Sequence, residues 1–325
     1  MHRTEGANKT ADNKFTDGPP GTTVTDDWLN AVQEEIANVI ESAGLVLKTA
    51  ATETNLQLRE ALLKTVPMPR GYIDGLIMSN NAVDAVNDID ISIGKCRDYS
   101  DAETISLTSI ITKQIDANWA EGTNQGGFPS GLALAVATWY HVFVIMSTDG
   151  TKVDAGFDTS LIATNLLADA TDYSIFRRVG SVLTDGASGI IAFHQQGNLF
   201  LWSDPPLDIN AAAFAANVDQ LCTLSIPLGI KTGAIFNATG ISMLDTKGYY
   251  FSSPDVTDEN TTHITAPLLS LGAGNISGTG DATEAVGMVY NILSNTASQI
   301  RAVTDDVSTL YIASLGWIDQ RGKDA

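Results

Sequence analysis

Apolar positions along the chain change their period at Pro67 and Pro69. Before these prolines, Leu29, Val32, Ile36, Val39 and Ala43 recur in steps of three and four, and Trp28 and Ile40 widen the stripe. That spacing predicts an amphipathic helix over residues 26–43, with Asn30, Glu34, Asn38 and Glu41 on its polar face. Thr25 is placed to cap it, Asp26 and Asp27 put negative charge in its first turn, and Gly44 follows as a stop. A second helix is predicted over 54–65, with Leu56, Leu58, Ala61, Leu62, Leu63 and Val66 as its apolar face. The prolines end it. The pair would form a short helical neck.

Beyond Pro69 the apolar residues come in short runs rich in Ile, Val and aromatics, bounded by Gly, Asn, Asp or Pro. Strands are predicted over 72–78, 88–93, 140–147, 174–183, 189–194 and 198–202. A second group follows the Asp204-Pro-Pro-Leu turn, at 221–226, 231–238, 248–252, 285–293, 299–304 and 310–318. The predicted class is mainly β: a short N-terminal helical neck, then a body of the β-sandwich or jelly-roll kind. The expected divisions are an extended arm at 1–24, the neck at 25–69, and β regions at 70–203 and 204–325. Pattern leaves open whether the two β regions are one domain or two. Two glycine-rich stretches, 122–131 and 271–280, are predicted as surface loops, with Asn124, Gln125, Phe128 and Asn275 as candidate contact residues.

A single helix cannot bury a stripe such as Leu29/Val32/Ile36/Val39 against itself, so that stripe calls for either the body of its own chain or other chains, copies of itself or a larger assembly. The surrounding residues suggest which. Residues 18–45 contain Trp28-Leu-Asn-Ala-Val-Gln-Glu-Glu-Ile36 after a Gly-Pro-Pro-Gly loop. This resembles the N-terminal segment of tail-fibre and other appendage proteins of tailed bacteriophages. Blocks such as Tyr72-Ile-Asp-Gly-Leu, Trp119-Ala-Glu-Gly-Thr-Asn-Gln-Gly-Gly, Arg177-Arg-Val-Gly-Ser and Leu315-Gly-Trp-Ile-Asp-Gln-Arg-Gly resemble the β-rich bodies of fibre-like phage proteins. The resemblance implies a virion structural protein docked to tail, baseplate or collar proteins through its N-terminus. Trp28, Leu29, Val32, Ile36, Val39 and Ile40 would form the docking or self-association seam, with three copies as the favoured arrangement. The host cell surface is a further expected partner. The alternatives are a host-receptor or carbohydrate-binding module and a glycan-degrading spike.

Charge narrows the partners. The chain carries a net −20, and residues 71–325 hold 11 Lys and Arg against 28 Asp and Glu, a net −17. Such a surface repels polyanions, which argues against nucleic acid and anionic membranes. No basic stretch followed by an apolar run opens the sequence, so neither a signal peptide nor membrane insertion is predicted, and assembly in a host cytoplasm into a virion is expected. Cys96 and Cys222 are far apart and are predicted to be buried free thiols.

Candidate chemistry is sparse. No motif for a nucleophile and base, a zinc-bound water or a phosphate-cradling loop is present. His141 and His194 fall inside predicted strands beside Tyr140 and Phe193, where a packed or hydrogen-bonded role is expected. Asp84, Asp88 and Asp90 cluster, as do Asp305 with Asp306 and Asp255 with Asp258 and Glu259. Asp88 and Asp90 alternate with Ile89 and Ile91, which predicts a solvated strand edge. Their spacing lacks the glycine and terminal glutamate of a calcium loop. No solenoid repeat of a depolymerising spike appears. The expectation is therefore a non-enzymatic protein with no catalytic residue, no metal and no cofactor.

Overall fold

A computed structural model describes residues 6–9, 11, 14, 21–49, 56–65, 68–242, 248–257, 270–272, 283–304 and 307–323. The chain divides into two compact units, Met1–Pro69 and Arg70–Ala325. It is mainly β, with short N-terminal helices followed by several β-sheets.

In the first unit, α1 spans Asp26–Ser42, and Thr25 is its N-cap: its backbone is extended and its hydroxyl accepts from the Trp28 amide at 3.4 Å. Gly44 adopts φ +71°, a left-handed conformation that closes the helix and lets its amide reach the Glu41 carbonyl at 2.9 Å. The second helix, α2, is Gln57–Thr65 and packs against α1. Its inward stripe is not the leucine row expected from the sequence. Gln57 and Ala61 are buried, whereas Leu56, Leu58 and Leu62 are exposed. Gln57 and Ala61 are one turn apart, so they share a face. The small Ala61 permits close helix approach, and the Gln57 amide clamps the linker: it donates to the Val46 carbonyl at 2.8 Å and accepts from the Lys48 amide at 3.1 Å. Val66 and the expected start of this helix at 54 lie outside the described residues.

Among the described residues, the strands of the second unit form five sheets. One holds Ile73–Gly75, Gly94–Arg97 and Thr104–Leu107; another holds Met78–Asn80, Asp88–Ile91, Ile111–Asn118 and Gln125–Phe128 in that order. Trp139–Ser147 is flanked by Tyr173–Leu183 and Val153–Asp158. The largest sheet runs Phe193–Gln196, Leu199–Trp202, Ser308–Ile318, Gly233–Ser242, Thr283–Leu293, and Leu207–Phe214 also pairs with Ser308–Ile318. Gln220–Thr223, Gln299–Thr304, Gly248–Ser252 and Ser270–Gly272 form the last. A short helix, α3, covers Thr164–Asp169; the Asp158 carboxylate accepts from the Asn165 and Leu166 amides in its first turn.

One hydrophobic cluster runs from Leu76 through Tyr140, Phe157 and Phe200 to Phe236 and Trp317. At its centre the Trp317 indole stacks on Phe200 at 5.1 Å and meets Trp139 edge-on at 5.4 Å. The boundary expected near Ser203 does not divide this core, because Leu199–Trp202 pairs with Ser308–Ile318 across it.

Three local expectations are corrected. The single strand expected over 72–78 breaks at Gly75 and Leu76, with φ +65° and +52°, so its halves join different sheets. A Cβ on Gly75 would sit 2.3 Å from the Ile93 carbonyl oxygen, so only glycine fits this corner. The stretch 122–131 is not a free loop: Gln125–Phe128 is a strand, parallel to Ile111–Asn118. Nor is 88–91 a solvated edge. It lies between two strands, Asp88 is buried, and Asp90 accepts from Thr112 Oγ1 at 2.6 Å and Asn81 Nδ2 at 2.9 Å.

Candidate functional site

On α1 the predicted seam residues divide by exposure. Leu29 is 54% and Ile36 38% exposed, Trp28, Val32 and Val39 are half-buried, and Ile40 is buried. An aliphatic stripe is therefore open on a helix whose ends are both satisfied by caps.

The candidate contact residues of the 122–131 stretch also divide. Asn124 and Gln125 are exposed, but Phe128 is 3% exposed and packs edge-on against Tyr140 at 5.2 Å, so it is a core residue and not a contact residue. Asn275 lies outside the described residues. The stretch is held by charge. Lys113 and Asp154, each 1% exposed, pair at 3.1 Å. The Lys113 ammonium also donates to the carbonyls of Ala120 at 2.7 Å and Gly122 at 3.1 Å, while Asp154 accepts from the Gly122 amide at 2.7 Å. Burial lowers the Lys113 pKa, and the charge of Asp154 opposes that shift.

The densest polar constellation was not anticipated as a site. The Arg178 guanidinium forks onto Asp319, with Nη1 on Oδ2 at 2.7 Å and Nη2 on Oδ1 at 2.5 Å. Arg178 Nη1 also donates to Ser181 Oγ at 3.2 Å, which lies 2.9 Å from His141 Nδ1. Asp319 further accepts from the Arg321 amide at 2.7 Å. Arg321 Nε donates to the Val179 carbonyl at 2.9 Å, and its Nη2 reaches the carbonyls of Gly75 and Leu76, pinning the chain at the strand break. Arg177 donates from Nε to the Arg321 carbonyl at 2.9 Å and from Nη2 to the Gly71 carbonyl at 3.4 Å. A register shift between Arg178 and Gly180 marks this stretch of strand.

Burial and charge set the electrostatics. His141, Arg177, Asp319 and Arg321 are each no more than 3% exposed. Burial lowers the Arg321 pKa to about 10, against the pull of Asp319. The Asp319 carboxyl is held below the usual carboxylate range: the Arg178 charge and its hydrogen bonds outweigh the larger opposing effect of burial. Burial, reinforced by the Arg178 charge, pushes the His141 imidazole down to about 4, so it is neutral near pH 7. Burial pushes both free thiols, Cys96 and Cys222, up to about 12, which makes them poor nucleophiles.

Above this cluster opens a cleft of about 580 Å³, with Arg177, Arg178, Lys231 and Asp319 among its charged lining residues. Leu161, Ile162 and Ile230 supply apolar wall, and Tyr99, Asn291 and Gln320 add polar groups. Tyr99 is stacked on Phe176 at 5.2 Å. Lys231 pairs with Asp255 at 2.6 Å, both half-exposed. The signal that could have found this site is the Arg177-Arg178 pair inside an apolar strand of a body poor in cations. Elsewhere, Asp88 is raised by burial and then by the neighbouring Asp84, Asp116 and Asp90 charges. His194 is exposed. Among the described residues no group of three or more His, Cys, Asp or Glu is arranged to hold a metal ion.

No protein-family model and no curated protein matches the chain. Among solved structures, a Bacillus thuringiensis Cry1Da tryptic core variant aligns over 78% of this chain and 53% of that one, at 8% identity and a TM-score of 0.15. A likeness that low carries no argument about fold or function.

Proposed function

We propose that the chain is a non-enzymatic structural protein of a tailed-bacteriophage virion, an appendage of the tail, baseplate or collar that docks through its N-terminal segment. The observation that carries this reading is the α1 stripe, where Leu29 and Ile36 stand open on a doubly capped helix. The Trp28–Ile36 motif lies on that same helix, and its resemblance to fibre docking segments supplies the partner class. Helices of this length owe most of their stability to packing, so an open aliphatic row is best explained by cover from other polypeptides. Three copies of the chain meeting along Leu29, Val32, Ile36 and Val39 would provide that cover before or during attachment. The β-rich body is then the part left for contact with the host surface. We read that body as a sandwich of jelly-roll type, because strands of separate sheets feed one core.

The test is removal of the docking segment. Phage particles assembled with a chain lacking residues 1–66 should contain none of it, although the truncated protein stays folded and in solution. Normal incorporation of the truncated chain would exclude the docking role.

A further inference from the structure

The cleft over the arginine cluster is a built polar site that the docking role does not use. Its lining holds Arg177, Arg178 and Lys231; Arg178 pairs with Asp319 and Lys231 with Asp255, which leaves Arg177 as the lining cation without a salt-bridge partner among the described residues. In a body whose net charge is −17, a buried cation without a carboxylate of its own favours an anionic ligand. Both terminal nitrogens of Arg178 are committed to Asp319. Those of Arg177 are not. This residue is 2% exposed and its Nε and Nη2 are engaged by main-chain carbonyls, but among the described residues its Nη1 has no hydrogen-bond partner. Asp101 and Asp98 pull on the Arg177 charge, but neither carboxylate hydrogen-bonds to it. Asp98 is held by Ser100 and by the Glu103 amide, and Asp101 by Arg70 and the Gly71 amide.

We propose that this cleft binds a carboxylate-bearing saccharide unit, with the carboxylate on Nη1 of Arg177 and the ring against Leu161 and Ile162. The volume suits a ligand of one or two sugar rings. A buried guanidinium with an open Nη1 is suited to an oxyanion such as a carboxylate, which it would meet with a charge-assisted hydrogen bond. The neutral wall takes the body of a ring, while Asn291, Gln320 and Lys231 offer partners to ring hydroxyls. This site stands on the second unit alone and is independent of how the N-terminal segment docks.

Titration of the full-length chain with glucuronate, glucose and inorganic phosphate, followed by calorimetry or ligand-observed NMR, tests it. Glucuronate should bind with a dissociation constant of about 1 mM, as its size allows. Glucose and phosphate should each bind about tenfold more weakly or worse. Leu161→Trp, at a partly exposed wall position away from the buried ion pairs, should weaken glucuronate by about tenfold without altering thermal unfolding. Arg177→Lys should weaken glucuronate to a similar extent in a chain that still folds, with a lower thermal stability because the Arg321 and Gly71 carbonyls lose donors. The proposal is overturned if glucose binds as well as glucuronate, if only phosphate binds, if nothing binds, or if Leu161→Trp leaves the affinity unchanged.

Discussion

His141 should make the β-rich unit acid-sensitive above the range where carboxylates titrate. In the folded chain its pKa is lowered from 6.5 to about 4, first by burial and then by the Arg178 charge, with Asp319 and Asp158 pulling weakly the other way. Hydrogen bonding reinforces this. Ser181 Oγ accepts from Arg178, so its own hydrogen is free to donate to Nδ1 of a neutral His141; a proton on Nδ1 would remove that acceptor. Because the folded pKa lies below the unfolded one, the unfolded chain binds the extra proton. Stability is therefore full above pH 6.5 and is lost as pH falls from 6.5 towards 4. A difference of about 2.5 units corresponds to about 3 kcal/mol in total, of which about 2 kcal/mol is gone by pH 5. For a unit of this size that is a fall in Tm of about 4–8 °C. The assay is calorimetric or urea unfolding of wild type and His141→Gln at pH 7, 6 and 5. The variant starts lower because its packing differs, but its pH slope over this window should flatten. Equal slopes for the two proteins would refute a buried, neutral His141. Asp149, whose pKa hydrogen bonds from Ser147 and Thr151 lower to about 2, contributes its loss below this window.

Two further predictions concern the clamp on the 122–131 stretch. Lys113→Met leaves Asp154 charged and 1% exposed, so it should cost about 3–5 kcal/mol in urea unfolding, and adding Asp154→Asn should recover part of that loss. A loss below about 1 kcal/mol for the single variant would show that the pair is not buried. Gly126→Ala places a Cβ 2.0 Å from the Asn118 carbonyl oxygen and 2.5 Å from that of Ala117, so the parallel strand must move; a cost of at least about 3 kcal/mol is expected, and a neutral effect would contradict the pairing.

What was legible in the sequence had local causes. The capped helix at 26–42 was readable because Thr25, Asp26, Asp27, the apolar spacing and Gly44 all agree. The strands at 248–252 and 299–304 were readable because short apolar runs end at turn residues. Other strands were hidden by composition. Ile111–Asn118 carries a lysine that looks like a surface residue until Asp154 is brought beside it, and Leu207–Phe214 contains three alanines with weak strand preference. Gly126 and Gly127 looked like loop residues, yet they are small because strand and Phe157 ring approach them closely. The arginine cluster was invisible for a related reason. His141, Arg177, Arg178 and Asp319 come from two separate strands and the segment after the last one, and only tertiary pairing turns these scattered charges into a buried network. On α2, pattern alone could not choose between the leucine row and the Gln57/Ala61 row, because that choice depends on the linker carbonyl that Gln57 finds.

The docking role rests on the open row of α1, and a charge variant probes it without removing any segment. Leu29→Glu with Ile36→Glu alters two exposed positions, so thermal unfolding of the purified chain should stay within about 1 °C of wild type. Phage particles assembled with this variant, purified and assayed for the protein by mass spectrometry, should hold less than about one tenth of the wild-type amount, since each buried carboxylate would cost several kcal/mol at a covered seam. Particles carrying the wild-type amount would contradict the assignment of that row to docking.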